Sequence, residues 1–283
     1  MADGLIEAAS AACFDTPVAA SESERGCDNI VMEMLIVSLA SMLAGFVDAI
    51  VGGGGLILVP ALFATFPAAH PATLLGSNKG ASIWGTAFAS WHFSRRVEMR
   101  WAALLPAAGA GFLASFAGAW TVTVVAPDFL RKLLPLIWLA VLIYTLTRKD
   151  LGRIHAPRFA GAPEVWAAVA VGAGIGFYDG FFGPGTGSFL VFLFVRLLGY
   201  DFLSASASAK VVNTASNAAA LILFAFKGHV WWHLVIVMAL ANVIGSLLGT
   251  RLALKHGTGF VRAVFVAVVS ALILKTGYDA FFR

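Results

Sequence analysis

The chain has 283 residues, 60% apolar and 12% charged, and a mean hydropathy of +0.87; soluble globular domains run at about 45–50% apolar. A membrane span needs roughly 20 apolar residues, so spans consume the length and an ordinary cytosolic enzyme with a water-soluble catalytic domain is excluded. The formal charge of +4 and the pI near 9.3 do not point to nucleic acid, because the Lys and Arg residues sit in short loops where they orient a chain in the bilayer.

Residues 1–32 are predicted to form an acidic, mobile N-terminal tail carrying Asp3, Glu7, Asp15, Glu22, Glu24 and Asp28. It lacks the basic start and apolar core of a signal peptide. It also holds both cysteines, Cys13 and Cys27, too few for a disulfide framework or metal cage whether or not they pair. Ten apolar stretches follow, at 33–51, 54–67, 72–93, 101–125, 129–147, 164–182, 185–199, 203–226, 230–254 and 260–281. The second and seventh are too short to cross at 1.5 Å per residue. Each follows a glycine cluster, GGGG at 52–55 and GPGTG at 183–187, where helix is expected to unwind inside the membrane.

A basic linker at 148–163 separates a first transmembrane repeat, 33–147, from a second, 164–283. A shift of 131 residues superposes Gly45, Phe46 and Asp48 on Gly176, Phe177 and Asp179, and Gly52 and Gly54 on Gly183 and Gly185. The same shift carries Ser77 and Lys79 to Ser208 and Lys210, Trp101 to Trp232, Ser115 to Ser246, and Arg131 to Arg262. Such scarce residues coinciding under one shift imply an internal duplication. An odd number of segments per repeat then requires opposite insertion of the two halves. Arg95, Arg96 and Arg100, the linker, and Arg251, Lys255 and Arg262 mark the cytoplasmic side. Both termini are then expected outside, with Arg131 and Lys132 on the outer side against the trend. Trp91, Trp101, Trp166, Trp231 and Trp232 lie at segment ends, as an interfacial belt requires. The predicted fold is an all-α polytopic membrane protein of two inverted-topology repeats, each with a broken or re-entrant short helix.

Broken segments at matching places in inverted repeats point to a transporter with a midplane site. Gly52, Gly53, Gly54 and Gly55, and Gly183, Gly185, Thr186 and Gly187, offer backbone N–H groups at the start of a short helix, an anion-binding geometry. The plainer alternative is close helix packing at glycine. Lys210, Asn213 and Asn217 fall on one helix face, and their counterparts are Lys79, Ser82 and Thr86. Ser77, Asn78, Ser206 and Ser208 extend the polar stripes. An ammonium in hydrocarbon costs at least about 2.5 kcal/mol, so each lysine needs a partner. Either Asp48 and Asp179 neutralise Lys79 and Lys210 as one pair in each half, or the lysines and neighbouring donors face a negatively charged substrate; Asp48 or Asp179 is also the candidate for proton exchange. His229 and His233, beside Trp231 and Trp232, read as interface anchors rather than metal ligands, as do His70 and His92; Asn242, Ser115 and Ser246 read as interhelical hydrogen bonders. No metalloprotease, serine-hydrolase or phosphate-loop motif occurs, so neither an enzyme nor an ATP-driven pump is expected, and no cofactor is implied.

GFVDAIVGGGGLILVPAL with LLGSNKGAS, and GFYDGFFGPGTGSFLVF with SASAKVVNTASNAA, resemble the sulfite exporter TauE/SafE family of membrane permeases from about residue 33 to 281. The resemblance implies a multi-pass bacterial inner-membrane carrier exporting a sulfur-containing anion such as sulfite, sulfoacetate or a related organosulfonate. It also implies seven or eight crossings, which fits the ten stretches if segments 2 and 7 do not fully cross. Alternating access about one small anion is the expected mechanism, and a passive anion channel is the alternative. The bilayer, the anion and a second copy in a homodimer are the expected partners.

Overall fold

A computed structural model describes residues 20–122 and 154–281, with side chains for 31–122, 154–271 and 274. The fifth apolar stretch, the start of the linker, Arg131, Lys132, Cys13 and the Cys27 side chain lie outside the described residues. Among the described residues all regular structure is helical: α1 (Ala20–Val51), α2 (Gly55–Thr65), α3 (Pro71–Ser94), α4 (Trp101–Val122), α5 (Ala162–Phe181), α6 (Thr186–Leu193), α7 (Phe202–Phe226) and α8 (Trp232–Phe281). A π-helical turn, Phe194–Leu198, extends α6.

The stretches 230–254 and 260–281 join in α8, which is interrupted at Gly257 with φ 70° and ψ −161°. α1 starts at Ala20, within the stretch read from the sequence as an acidic tail, and acidic residues near a helix N-terminus favour helix through the dipole. Among the described residues, four stretches are both long and apolar enough to cross a membrane: Val31–Val51, Trp101–Val122, Phe202–Phe226 and Trp232–Ala271. Gly55–Thr65 and Thr186–Leu198 are apolar but short, as their lengths in the sequence require.

Packing follows from where small residues fall. α4 packs most closely on α5, and α1 on α8. Gly172, Gly176 and Gly180, one per turn along α5, sit against the backbone of Ala107, Gly111 and Ser115 on α4. Gly245 and Gly249 on α8 sit against Met42 and Phe46 of α1, and Gly45 against Asn242. A Cβ at these glycines would enter a carbonyl of the facing helix, and such small-residue seams let helices associate in lipid through van der Waals packing. Interhelical hydrogen bonds join α4 to α7, α8 to α3 and α8 to α1, as expected for Ser115, Ser246 and Asn242. Ser115 Oγ donates to Ser216 O at 2.8 Å, Ser246 Oγ to Gly85 O at 2.6 Å, and Asn242 Nδ2 to Ser41 O at 3.0 Å.

The opposite faces carry bulk. Val31, Leu35, Leu39 and Leu43 on α1, and Ile236, Leu240, Ile244 and Leu248 on α8, are exposed at helical spacing. Small inside and large outside suits a bundle whose solvent is hydrocarbon. α3 and α7 pack on each other at the centre; α3 also packs on α8, and α7 on α4. These partnerships exchange into one another under the 131-residue shift.

Candidate functional site

The chain leaves α1 through Gly52, at φ 76°, and α5 through Phe182 to Gly183, at φ 86°. Left-handed backbone is open to glycine at no steric cost, so the two breaks fall where the sequence placed them. They also meet. A Cβ on Gly52 would strike the backbone of Gly187, one on Gly187 would strike that of Gly52, and Gly55 lies against Pro184.

Helix ends strand carbonyls and amides, and the fold satisfies them unevenly. Ser188 Oγ donates to Val51 O at 3.0 Å and Gly52 O at 2.7 Å, while Ser206 Oγ donates to Ile50 O at 2.6 Å. The stranded carbonyls of α1 are thus bound by hydroxyls of α6 and α7. Tyr178 O–H donates to Pro184 O and fixes the second break. Among the described residues, no backbone acceptor takes a hydrogen bond from the amides of Gly53, Gly54 and Gly185.

Each buried lysine has a carboxylate, but in the other half of the sequence. Lys79 Nζ lies 2.6 Å from Asp179 Oδ1, and Lys210 Nζ lies 3.0 Å from Asp48 Oδ2. The expected pairing within each half is corrected. α3 and α7 pack face to face at the centre, so each lysine reaches the break of the opposite half. Asp179 also accepts from Thr186 Oγ1 and Ser216 Oγ, both at 2.7 Å. Removing one partner of such a buried pair costs about 3–5 kcal/mol, so the two ion pairs pin the halves together.

Between the breaks lies a small cavity. It is lined by Asp48, Gly52, Gly54, Gly55, Asn78, Lys79 and Ser82 from the first half of the sequence, and by Asp179, Gly183, Gly185, Thr186, Gly187, Asn213 and Asn217 from the second. Space for the centre of a water-sized sphere amounts to about 20 Å³, close to what one water needs. Two predicted site residues stand outside this lining. Lys210 is fully buried against Asp48, and Gly53 faces Val268 and Ser188. Thr86 spends its hydroxyl on the Ser82 and Ile83 carbonyls of its own helix. Asn78 and Asn213 are buried, and their Oδ1 atoms have no hydrogen-bond partner. An unpartnered buried amide oxygen is expensive, and two beside one cavity call for a hydrogen-bond donor there, such as a water molecule.

The remaining polar residues lie at the periphery. His229 Nδ1 is 3.2 Å from Thr73 Oγ1 and its ring stacks on His70, centroids 5.1 Å apart. Burial, with His70 and Lys227 nearby, lowers the His229 pKa. Sequence reasoning passed over Ser216, Ser188 and Tyr178, and a second cluster as well. There Glu164 binds Arg100 at 2.6 Å and the Tyr200 hydroxyl at 2.7 Å. The hydrogen bond to Glu164 raises the Arg100 pKa, and burial with the same carboxylate raises that of Tyr200. Asp201 caps α7 by accepting from the Leu203 and Ser204 amides. Burial alone would raise its pKa, but Ser204, Thr258 and His155 outweigh that and lower it. Ser216 was legible in principle, being one turn beyond Asn213 on the same polar stripe.

Comparison with known proteins is consistent along the whole membrane region. The family described as sulfite exporter TauE/SafE matches residues 37–276. The probable membrane transporter protein YfcA of Escherichia coli K12 is 36% identical over 246 residues, 87% of this chain and 90% of that protein. A probable membrane transporter protein of a Sinorhizobium species, ORF9, is 35% identical over 84% of this chain and 89% of its own. Another from Haemophilus influenzae is 35% identical over 87% and 95% respectively. No solved structure matches the chain.

Proposed function

The chain belongs to the sulfite exporter TauE/SafE family and is a membrane transporter, and from that premise we propose that it exports a small sulfur-containing anion through the cavity between its two glycine breaks. The substrate class is sulfite, sulfoacetate or a related organosulfonate, moved across the bacterial inner membrane by two inverted repeats with both chain termini outside.

The observation that carries this reading is the donor set of the cavity. Two Lys–Asp pairs leave the site formally neutral, so an anion is held by hydrogen bonds rather than by net charge. The candidate donors are the side-chain NH2 groups of Asn78, Asn213 and Asn217, which line the cavity, with the Gly54 and Gly185 N–H groups and the N-terminal ends of α2 and α6. Helix N-termini facing each other across discontinuous segments suit an oxyanion with acceptors on several sides.

The cavity's size supports alternating access. A four-atom oxyanion exceeds room for about one water, so loading requires the two breaks to separate. Rocking of one half against the other opens the contact of Gly52 with Gly187 from either side in turn.

Flux of labelled sulfite and sulfoacetate in proteoliposomes tests the reading. Saturable uptake with counterflow is expected, and Asn213→Ala with Asn78→Ala should lower it by at least tenfold. Unaltered flux in that double variant overturns the site, and non-saturating flux without counterflow makes the protein a channel.

A further inference from the structure

The two central carboxylates occupy matching places in the two halves, yet their surroundings differ. Asp179 accepts three hydrogen bonds, from Lys79 Nζ, Thr186 Oγ1 and Ser216 Oγ, and its side chain is 2% exposed. Asp48 accepts one, from Lys210 Nζ, and its side chain is 16% exposed into the cavity. The cause is visible in the sequence. The residues that match Thr186 and Ser216 under the 131-residue shift are Gly55 and Gly85, which have no hydroxyl.

We propose that Asp48 is the proton-exchanging carboxylate of the site, and that Asp179 stays ionised as a fixed strut. Hydrogen bonds to a carboxylate favour its charged form. Protonating Asp179 would weaken three such bonds at a side chain 2% exposed; protonating Asp48 gives up one, at a side chain 16% exposed. The charged groups around Asp48 are few. Lys210 of α7 contacts it, and Lys79 of α3 and Asp179 of α5 line the same cavity. α2 and α6 carry no titratable side chain, and neither does the Asn242–Gly249 stretch of α8 that packs on α1.

Proton uptake from water onto an Asp48 carboxylate oxygen leaves the Lys210 ammonium uncompensated. The site gains one positive charge, which an anion balances. Proton and anion therefore favour each other's binding, and the linkage is reciprocal. This coupling rests on the anion-transport reading above, whereas the assignment of the proton to Asp48 does not.

Infrared difference spectroscopy on the purified full chain, titrated between about pH 4 and pH 8, reads the assignment without any ligand. A carboxylic acid C=O band is expected in the wild type that is missing in Asp48→Asn. Gly55→Ser gives a second reading that keeps the carboxylate. A Cβ at Gly55 would meet Pro184 Cα at 3.4 Å, with Gly183 O and Pro184 N at 3.8 Å, all at ordinary contact distance, and the hydroxyl takes the place Thr186 holds beside Asp179. That variant should move the band to lower pH. Identical wild-type and Asp48→Asn spectra, or a band unmoved by Gly55→Ser, overturn the assignment.

Sulfoacetate flux tests the coupling, since its charge is constant between about pH 5.5 and 7.5 on ordinary carboxylate values. The apparent affinity should strengthen as pH falls, by up to tenfold per pH unit, and become flat in Asp48→Asn. A slope that survives in Asp48→Asn overturns the coupling. Absence of sulfoacetate and sulfite flux in every form, including wild type, sinks the transport reading instead, and the infrared result stands by itself.

Discussion

Replacing Lys79 by Met removes the ammonium from a site in which both partners are at least 95% buried. Asp179 then keeps the Thr186 and Ser216 hydroxyls but has no countercharge, and the expected loss is about 3–5 kcal/mol of folding stability. Asp179→Leu strands Lys79 and should cost a similar amount. The double replacement should cost far less than the sum. Thr186 keeps the Gly183 carbonyl at 2.7 Å and Ser216 keeps that of Asn213 at 3.1 Å, so no hydroxyl is orphaned, and an apolar pair in place of a buried ion pair is often neutral or stabilising. The coupling energy is therefore about 3 kcal/mol or more. Lys79→Met with Asp48→Leu breaks two separate pairs and should show a smaller coupling than Lys79→Met with Asp179→Leu. Equilibrium unfolding in mixed micelles measures both cycles. A larger coupling of Lys79 with Asp48 than with Asp179 would refute the crossed arrangement.

Gly180→Leu should destabilise by at least about 1–3 kcal/mol through overpacking, because its Cβ enters the Ser115 carbonyl, while Gly109→Leu, with open space around it, should be near neutral in the same thermal denaturation series. Ser115→Ala and Ser246→Ala should each cost about 0.5–1.5 kcal/mol and add in the double variant, since they bond α4 to α7 and α8 to α3 respectively; marked non-additivity would contradict two independent seams. The lowered pKa of Asp201 makes its contribution present above the ordinary carboxylate value of 3.8 and lost as pH falls through the lower folded value. Melting temperature should drop in that acidic window for wild type, and Asp201→Asn should show a shallower drop.

Much of the site was legible because its chemistry is scarce in an apolar chain. Asp48, Lys79, Asp179 and Lys210 stand out by cost alone, and the glycine clusters beside Gly52 and Gly183 mark backbone that cannot stay helical. The partners of the lysines were not legible. Halves that match under one 131-residue shift offer the paired and the crossed arrangements alike, and only the packing of α3 on α7 chooses between them. Hydroxyls were also hard to read. Ser188 and Ser216 look like ordinary small residues of apolar helices until a stranded carbonyl or carboxylate is found opposite each. The Glu164–Arg100–Tyr200 cluster escaped notice because its members are distant in sequence and lie at segment ends, where charged residues are expected.

The exchanged ion pairs bear on how the protein is made. As the chain enters the bilayer from its N-terminus, Asp48 and Lys79 arrive long before Lys210 and Asp179 are synthesised, so the early intermediate holds a carboxylate and an ammonium whose final partners do not yet exist. Cutting the gene between the halves should thus yield fragments that mature only when produced together.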